Sequence, residues 1–370
     1  MRNELSIKLE SFLDDTMTYY DLPGLAIGVY CGQAATENTF CGVRGFADYV
    51  SRTPLHADDI FHCASVSKLF TATSIMKLVE ADIIHLEDHL ADLLPDLSIA
   101  DKRYRDITLR HMLTHTSGLG DCADYHWDTP LFGEDALAHY VYSDEVCKQP
   151  MVWEAGKGFR YSNVAFEILG HIVSVYSDRM PAQNGSKLSY EAFVAENCLK
   201  PAHMTSSTMK TYERQGWHSD TAEWGDNNMA FPHAKDADRS IQRVQYYPYT
   251  RQHAPSSTLT STTADLLRWG RIHLEGSRGD GHGIFADAAI YETIWTPYAE
   301  VPNNGERIGL GWFIRKQLGH TLYGHEGSDD GFRSSFWICP DLDMVTVVLS
   351  NLSEAPVKKI NKKLFAAIAE

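Results

Sequence analysis

The pattern of this sequence predicts a mixed α/β fold, with strands toward both ends of the chain and helices between them. Three observations carry that expectation. "LAIGVYC" (25–31) and "TFCGVRGF" (39–46) are rich in β-branched and aromatic residues and punctuated by glycine, which reads as a strand pair. "LGWFIRKQ", "HTLYGHE", "SSFWICP" and "MVTVVLSN" read as four successive strands of an antiparallel meander near the end. Helix patterns lie between, at 65–80, 107–115, 134–147, 162–177, 189–199 and 262–275. A split α/β layer holding an all-helical insertion accounts for this order, with 1–75 and 256–370 as the α/β domain and 76–255 as the helical one.

The remaining segments are read in turn. The start is an amphipathic helix, with Leu5, Ile7, Leu9, Phe12 and Leu13 near one face. It lacks the apolar run of a secretory signal, and no stretch approaches a membrane span, so a cytoplasmic protein is expected. The helix at 262–275 is started by Ser261 and Thr262 and stopped by Gly276. Residues 211–255 are polar, aromatic-studded and weakly periodic, which suggests a long loop region of the kind that borders sites. A closing helix covers about 355–369.

With 370 residues, 44% of them hydrophobic, the chain can build a large core. Lys and Arg number 33 against 49 Asp and Glu, a formal charge of −16 that argues against nucleic acid or anionic membrane as partner. Seven widely spaced cysteines with no C-x-x-C fit reduced thiols and neither a disulfide framework nor a zinc site.

Several chemistries are unsupported. There is no G-x-S-x-G elbow, no Walker loop and no G-x-G-x-x-G fingerprint. "HMLTH" places His111 and His115 four apart but lacks the glutamate of a metalloprotease, so it reads as structural or capping. "GDGHG" (279–283) reads as a turn.

What remains begins with Ser65-Val66-Ser67-Lys68. On a helix, Ser65 and Lys68 share a face, and a serine hydroxyl needs an adjacent base to attack. Lysine serves as that base when burial or a neighbouring cation lowers its pKa. A helix-capping serine with a solvated lysine fits the tetrapeptide equally well, and the string recurs as Ser207-Thr208-Met209-Lys210 without an apolar helix behind it. Two further elements favour the first reading. Tyr161 and Asn163 stand just before a helix and can reach one cavity, the tyrosine as a proton shuttle and the asparagine as a donor to substrate or to Lys68. In "YGHEGSDDGF" (323–332), glycines around His325 let another backbone approach the strand, with the Ser328 N–H aimed at a carbonyl oxygen.

S-x-x-K, then Y-x-N, then an H-x-G strand in the place of K-T-G, in that order, resembles the serine β-lactamase and penicillin-binding protein-like family. The similarity is to the branch holding class C β-lactamases, D-alanyl-D-alanine carboxypeptidases, D-aminopeptidases and family VIII carboxylesterases. It extends over roughly 20–180 and 255–352, through "ITLRHMLTHTSGL", "FRYSNVAFEILGHIV" and "SSTLTSTTADLLRWGRIHL". The resemblance implies a β-lactamase/transpeptidase-like fold, an antiparallel sheet flanked by helices plus an all-helical domain, with the site between them and no metal or cofactor. It implies Ser65 as acylated nucleophile, with Lys68 and Tyr161 sharing acid and base duty. Asn163, His325, Glu326, Gly327 and Ser328 would contact substrate, and the N–H groups of Ser65 and Ser328 would form the oxyanion hole.

The departures shape the expected substrate. His325 replaces a lysine, and a neutral imidazole holds a substrate carboxylate poorly. Glu326 stands where threonine or serine is usual; facing the cleft, it would repel a β-lactam carboxylate and favour neutral or cationic substrates. "WEAG" (153–156) lacks a usual proline, "PSST" (255–258) lacks a usual glycine pair, and 211–255 falls outside the pattern as a source of substrate choice. The expected activity is cleavage of a small ester or amide through an acyl-enzyme. The alternatives are a D-aminopeptidase or D-amidase, a genuine β-lactamase, and a catalytically silent binding protein on the same fold.

Overall fold

The computed structural model describes residues 4–32, 38–181, 184–213 and 228–369. Its strands are β1 (Gly24–Cys31), β2 (Asn38–Asp48), β3 (Thr53–Pro54), β4 (Phe61–His62), β5 (His233–Lys235), β6 (Ile241–Arg243) and β7 (Thr260–Ser261). They continue with β8 (Ala299–Glu300), β9 (Arg307–Ile308), β10 (Phe313–Gln317), β11 (His320–Asp329), β12 (Phe332–Cys339) and β13 (Met344–Ser350). Nine of these form one antiparallel sheet in the order β3-β2-β1-β13-β12-β11-β10-β9-β8. The expected meander is β10 to β13, and it joins the N-terminal hairpin through β1 and β13.

The long helices are α1 (Glu4–Tyr20), α2 (Ser67–Glu80), α3 (Asn163–Tyr176), α4 (Thr263–Ser277) and α5 (Val357–Ala369). Period-two alternation decides which helices each strand meets. Leu25, Ile27 and Val29 of β1 pack with Leu9 and Leu13 of α1 and Ile360 and Leu364 of α5. Ala26 and Tyr30 face the other way, into the core shared with Leu266 and Leu267 of α4. Gly28 lets α4 lie close, since a Cβ there would stand 3.2 Å from the Leu267 side chain. Helices thus cover both faces, as a fold with strands at the chain ends requires.

Two expectations need correction. Ile7 of α1 is 60% exposed, on the solvent side of the helix and not among the residues that cover the sheet. The 211–255 segment is not one loop: β5 and β6 pair within it, while 214–227 lie outside the described residues. Among the described residues no helix is long and apolar enough to cross a membrane.

Candidate active site

Residues 59–76 are all buried except Ser65. Ser65 lies in a short 3-10 turn, Ala64–Val66, that leads into α2. Ala64 before it has φ +47°, a left-handed conformation uncommon for alanine, so the backbone turns sharply just before Ser65. Ser65 is not a helix cap. Ser67 turns away and is held structurally, donating to the Ala64 carbonyl at 2.6 Å and accepting from the Leu259 N–H at 2.9 Å.

Lys68 sits one turn on, fully buried. Its ammonium donates to Ser65 Oγ at 3.1 Å, Asn163 Oδ1 at 2.6 Å and the Ser256 carbonyl at 2.9 Å, using all three protons. Burial pulls its pKa down to about 8, although Glu167, Asp121 and Asp329 act in the opposite sense.

Asn163 is the first residue of α3, whose N-cap Ser162 accepts from the Ala165 N–H. Its role toward Lys68 is the reverse of the expected one: it accepts from the ammonium and does not donate to it. The reason is Asp121, whose carboxylate takes both the backbone N–H (2.8 Å) and the amide NH₂ (3.1 and 3.2 Å) of Asn163, turning Oδ1 toward Lys68.

Tyr161 is half-buried with its hydroxyl enclosed, its ring stacked on His115 at 4.3 Å and Lys68 Nζ 4.8 Å from its centroid. Its hydroxyl completes no hydrogen bond of ordinary geometry, although Ser65 lies near enough to favour the phenolate. Burial outweighs that influence and raises its pKa well above the usual phenol range, so at neutral pH the group is a proton donor.

His325 and Gly327 of β11 face the same way, toward the Ser65 turn. A Cβ on Gly327 would stand 2.3 Å from the Cys63 carbonyl and 3.1 Å from Ala64 Cβ, so glycine is what permits the strand to lie against the turn that carries Ser65. Ser334 Oγ ties the same Cys63 carbonyl to β12 at 2.6 Å. β10 pairs with β11 only as far as Gly324, and among the described residues no strand pairs with 325–329 on that edge. The His325 ring stands 6.1 Å from that of Tyr161. Its Nδ1 lies 2.5 Å from the Glu326 carbonyl, which places the proton on Nδ1 and leaves Nε2 an acceptor. Burial, then Lys68, lowers its pKa to about 3, so the imidazole is neutral.

Glu326 does not join this group. Alternation turns it to the opposite face, where Trp337 Nε1 donates to Oε1 at 2.8 Å and the buried Arg315 guanidinium lies 3.7 Å away. It therefore cannot screen substrates in the cleft as expected. Ser328 also turns its side chain away from the cleft, exposed, so only its backbone can face a ligand. Glu326→Gln is accordingly expected to leave turnover within about 2-fold of the parent while lowering stability by about 1–3 kcal/mol, because Arg315 loses its counter-charge. Steady-state rates and urea unfolding of the same preparation test this.

Residue types had not marked Asp121, nor Ser256, which acts through its carbonyl. Glu167 was also missed: buried in α3, it accepts from Ser256 Oγ at 2.5 Å and pairs with His253 Nδ1 at 3.0 Å beneath Lys68. The other motifs hold structural places. His111 closes a capping box with Thr108, and Ser207 bonds Ser261 and Asp265. All seven cysteines are free thiols.

The family model described as Beta-lactamase matches residues 9–369. The chain belongs to the Beta-lactamase family. Within the Beta-lactamase family it is similar to penicillin-binding protein 4 of Amycolatopsis lactamdurans, 26% identical over 350 residues, which span 91% of this chain and 83% of that protein. Among solved structures, the octameric penicillin-binding protein homologue from Pyrococcus abyssi superposes with a TM-score of 0.81 at 23% identity, covering 99% of this chain and 78% of that one. The D-amino acid amidase from Ochrobactrum anthropi SV3 does so at 0.75 and 19% identity, covering 99% of both chains. These neighbours show the β-lactamase/transpeptidase fold, and members of the family are serine hydrolases.

Proposed function

We propose that this protein hydrolyses a small ester or amide through an acyl-enzyme on Ser65. The observation that carries the reading is the placement of Lys68, buried, directed at Ser65 Oγ and held by Asn163 and Ser256. In its neutral form Lys68 takes the Ser65 proton as Oγ bonds to the substrate carbonyl carbon. The N–H groups of Ser65 and Ser328 receive the oxyanion. On collapse the bond to the leaving oxygen or nitrogen breaks, and Tyr161 supplies its proton, regaining one from Lys68. Water then attacks the acyl-enzyme by the reverse path and frees Ser65. The site lies where 1–75 and 256–370 meet the helical stretch 76–255, and we take that meeting as the domain boundary.

Neutral His325 argues for weak or no β-lactamase activity, since it offers no cation to a substrate carboxylate. A D-aminopeptidase or D-amidase is the second reading, favoured by the Asp329 carboxylate that lies near His325 in the strand and near Lys68 in space. Intact-mass measurement after mixing with p-nitrophenyl acetate tests the proposal. An acetyl adduct is expected, absent in Ser65→Ala. No adduct from any of a panel of small esters and amides would leave the silent binding protein as the better reading.

A further inference from the structure

Asp329 ends β11, one residue beyond Ser328. Its side chain falls on the same face as His325 and Gly327, not with Glu326. Oδ2 receives both His62 Nε2, at 2.7 Å, and Ser257 Oγ. His62 is fully buried, with the rings of Tyr247 and Phe332 5.8 and 5.7 Å from its own. Ser257 follows Ser256, whose carbonyl holds Lys68. The carboxylate is thus fixed from behind and only 7% exposed, while Oδ1 has no partner among the described residues and is not sealed from solvent. The neighbouring cation, Arg333, feels the Asp329 charge but forms no ion pair with its carboxylate among the described residues: Nη1 donates to the carbonyls of Asp329 and Phe332. A carboxylate held from behind, with its second oxygen turned to the open side, is placed to meet a cation that a ligand brings.

The direction of the cleft says which part of a substrate would bring that cation. Under the acyl-enzyme reading, on which this inference rests, Tyr161 protonates the leaving group, so the leaving group lies at the end shared by Tyr161 and His325. The carbonyl oxygen lies at the Ser328 N–H. The substituent on the acyl carbon then runs on toward Asp329, about 3.3 Å further along the strand. Tyr125 closes this end, its ring stacked on Trp127 at 4.8 Å and set edge-on to His253 at 4.9 Å. Burial, with Asp329 and Asp121 both near its hydroxyl, keeps that phenol neutral. Lys68 has no proton left to offer and Asp121 is engaged by Asn163, so Asp329 is the anion open to a ligand here.

We propose that Asp329 is a specificity-determining residue and that it receives a protonated amine on the carbon next to the scissile carbonyl, making the substrate an aminoacyl ester or amide. The test compares alanine p-nitroanilide (each enantiomer), its N-acetyl derivative and p-nitrophenyl acetate near pH 7, where an α-amine is largely protonated. For the parent protein, kcat/KM is expected to be at least about 10-fold higher for the free amine than for the N-acetyl compound. Asp329→Asn keeps the shape that His62 and Ser257 hold, and is expected to remove about 30-fold from the free amine and under about 3-fold from the other two. Equal loss on all three substrates, or a parent preference for the N-acetyl compound, would overturn the proposal. If the variant fails to fold, inhibition of the parent's acetate turnover decides: alanine amide should compete and N-acetylalanine amide should not. Absence of any Ser65 adduct with p-nitrophenyl acetate would instead sink the acyl-enzyme reading, and this inference with it.

Discussion

Lys68→Met is expected to lower turnover of p-nitrophenyl acetate by about 10³-fold and to abolish the rapid acetyl adduct on Ser65. Methionine fills a similar volume in this fully buried position but accepts no proton from Ser65 Oγ, now 3.1 Å from the amine. Ser65→Ala should lose at least as much, and the double variant little more than either alone, because the two residues act as a unit. Lys68→Arg should not rescue, since a guanidinium stays protonated and cannot act as base. The pH profile supplies an independent readout. Burial lowers Lys68 to about 8, so below that pH the ammonium is protonated and cannot take the serine proton. The rate should therefore rise with pH through about 8. Neutral His325, at about 3, does not contribute to that limb, and His115, lowered by burial, stays neutral across it. A profile that is flat or falls between about pH 6 and 9 would remove Lys68 from the role of base.

Gly327→Ala carries the second large effect. Its Cβ would meet Ser334 Oγ at 2.1 Å and the Cys63 carbonyl at 2.3 Å, and the latter is backbone that cannot swing aside. β11 must then lift from the turn that carries Ser65. A shift of about 1 Å in the Ser328 N–H relative to Ser65 costs on the order of 10²-fold in rate. Overpacking should lower stability by about 1–3 kcal/mol as well. Ser328→Ala is the matching control: its side chain is exposed and turned away, so activity should stay within about 2-fold. A fully active Gly327→Ala, or an inactive Ser328→Ala, would show that the strand's backbone is not part of the site. Stopped-flow acylation with a parallel thermal melt separates loss of rate from loss of fold.

Much of the fold was legible because it is local. The strands at 25–31 and 39–46, the meander near the end and the helices at 65–80 and 162–177 announce themselves by side-chain period, and the structure places elements at each. The 211–255 segment was misread where β5 and β6 pair, because three-residue strands are too short to show a period. Ile7 was misplaced because five apolar residues within nine cover more than one face of a helix, and the sheet needs only one.

For the site, the same division holds at finer grain. The Ser65–Lys68 spacing fixes their proximity within one turn, and that was readable from the chain itself. The order of Ser65, Lys68, Tyr161, Asn163 and His325 was enough to point to the family. Contacts between distant segments were not readable: Asp121 orienting Asn163, the Ser256 carbonyl on Lys68, and Glu167 beneath them join stretches up to 188 residues apart, two of them through the backbone or a polar residue with no motif. Glu326 and Asp329 show the limit most sharply. Both are acids beside His325, yet pairing of Glu326 with Ser335 sends one to Trp337 and Arg315 and the other to the cleft floor against His62 and Ser257. A strand reverses side-chain direction at every residue, so only its register in the sheet decides which acid lies on the Ser65 side.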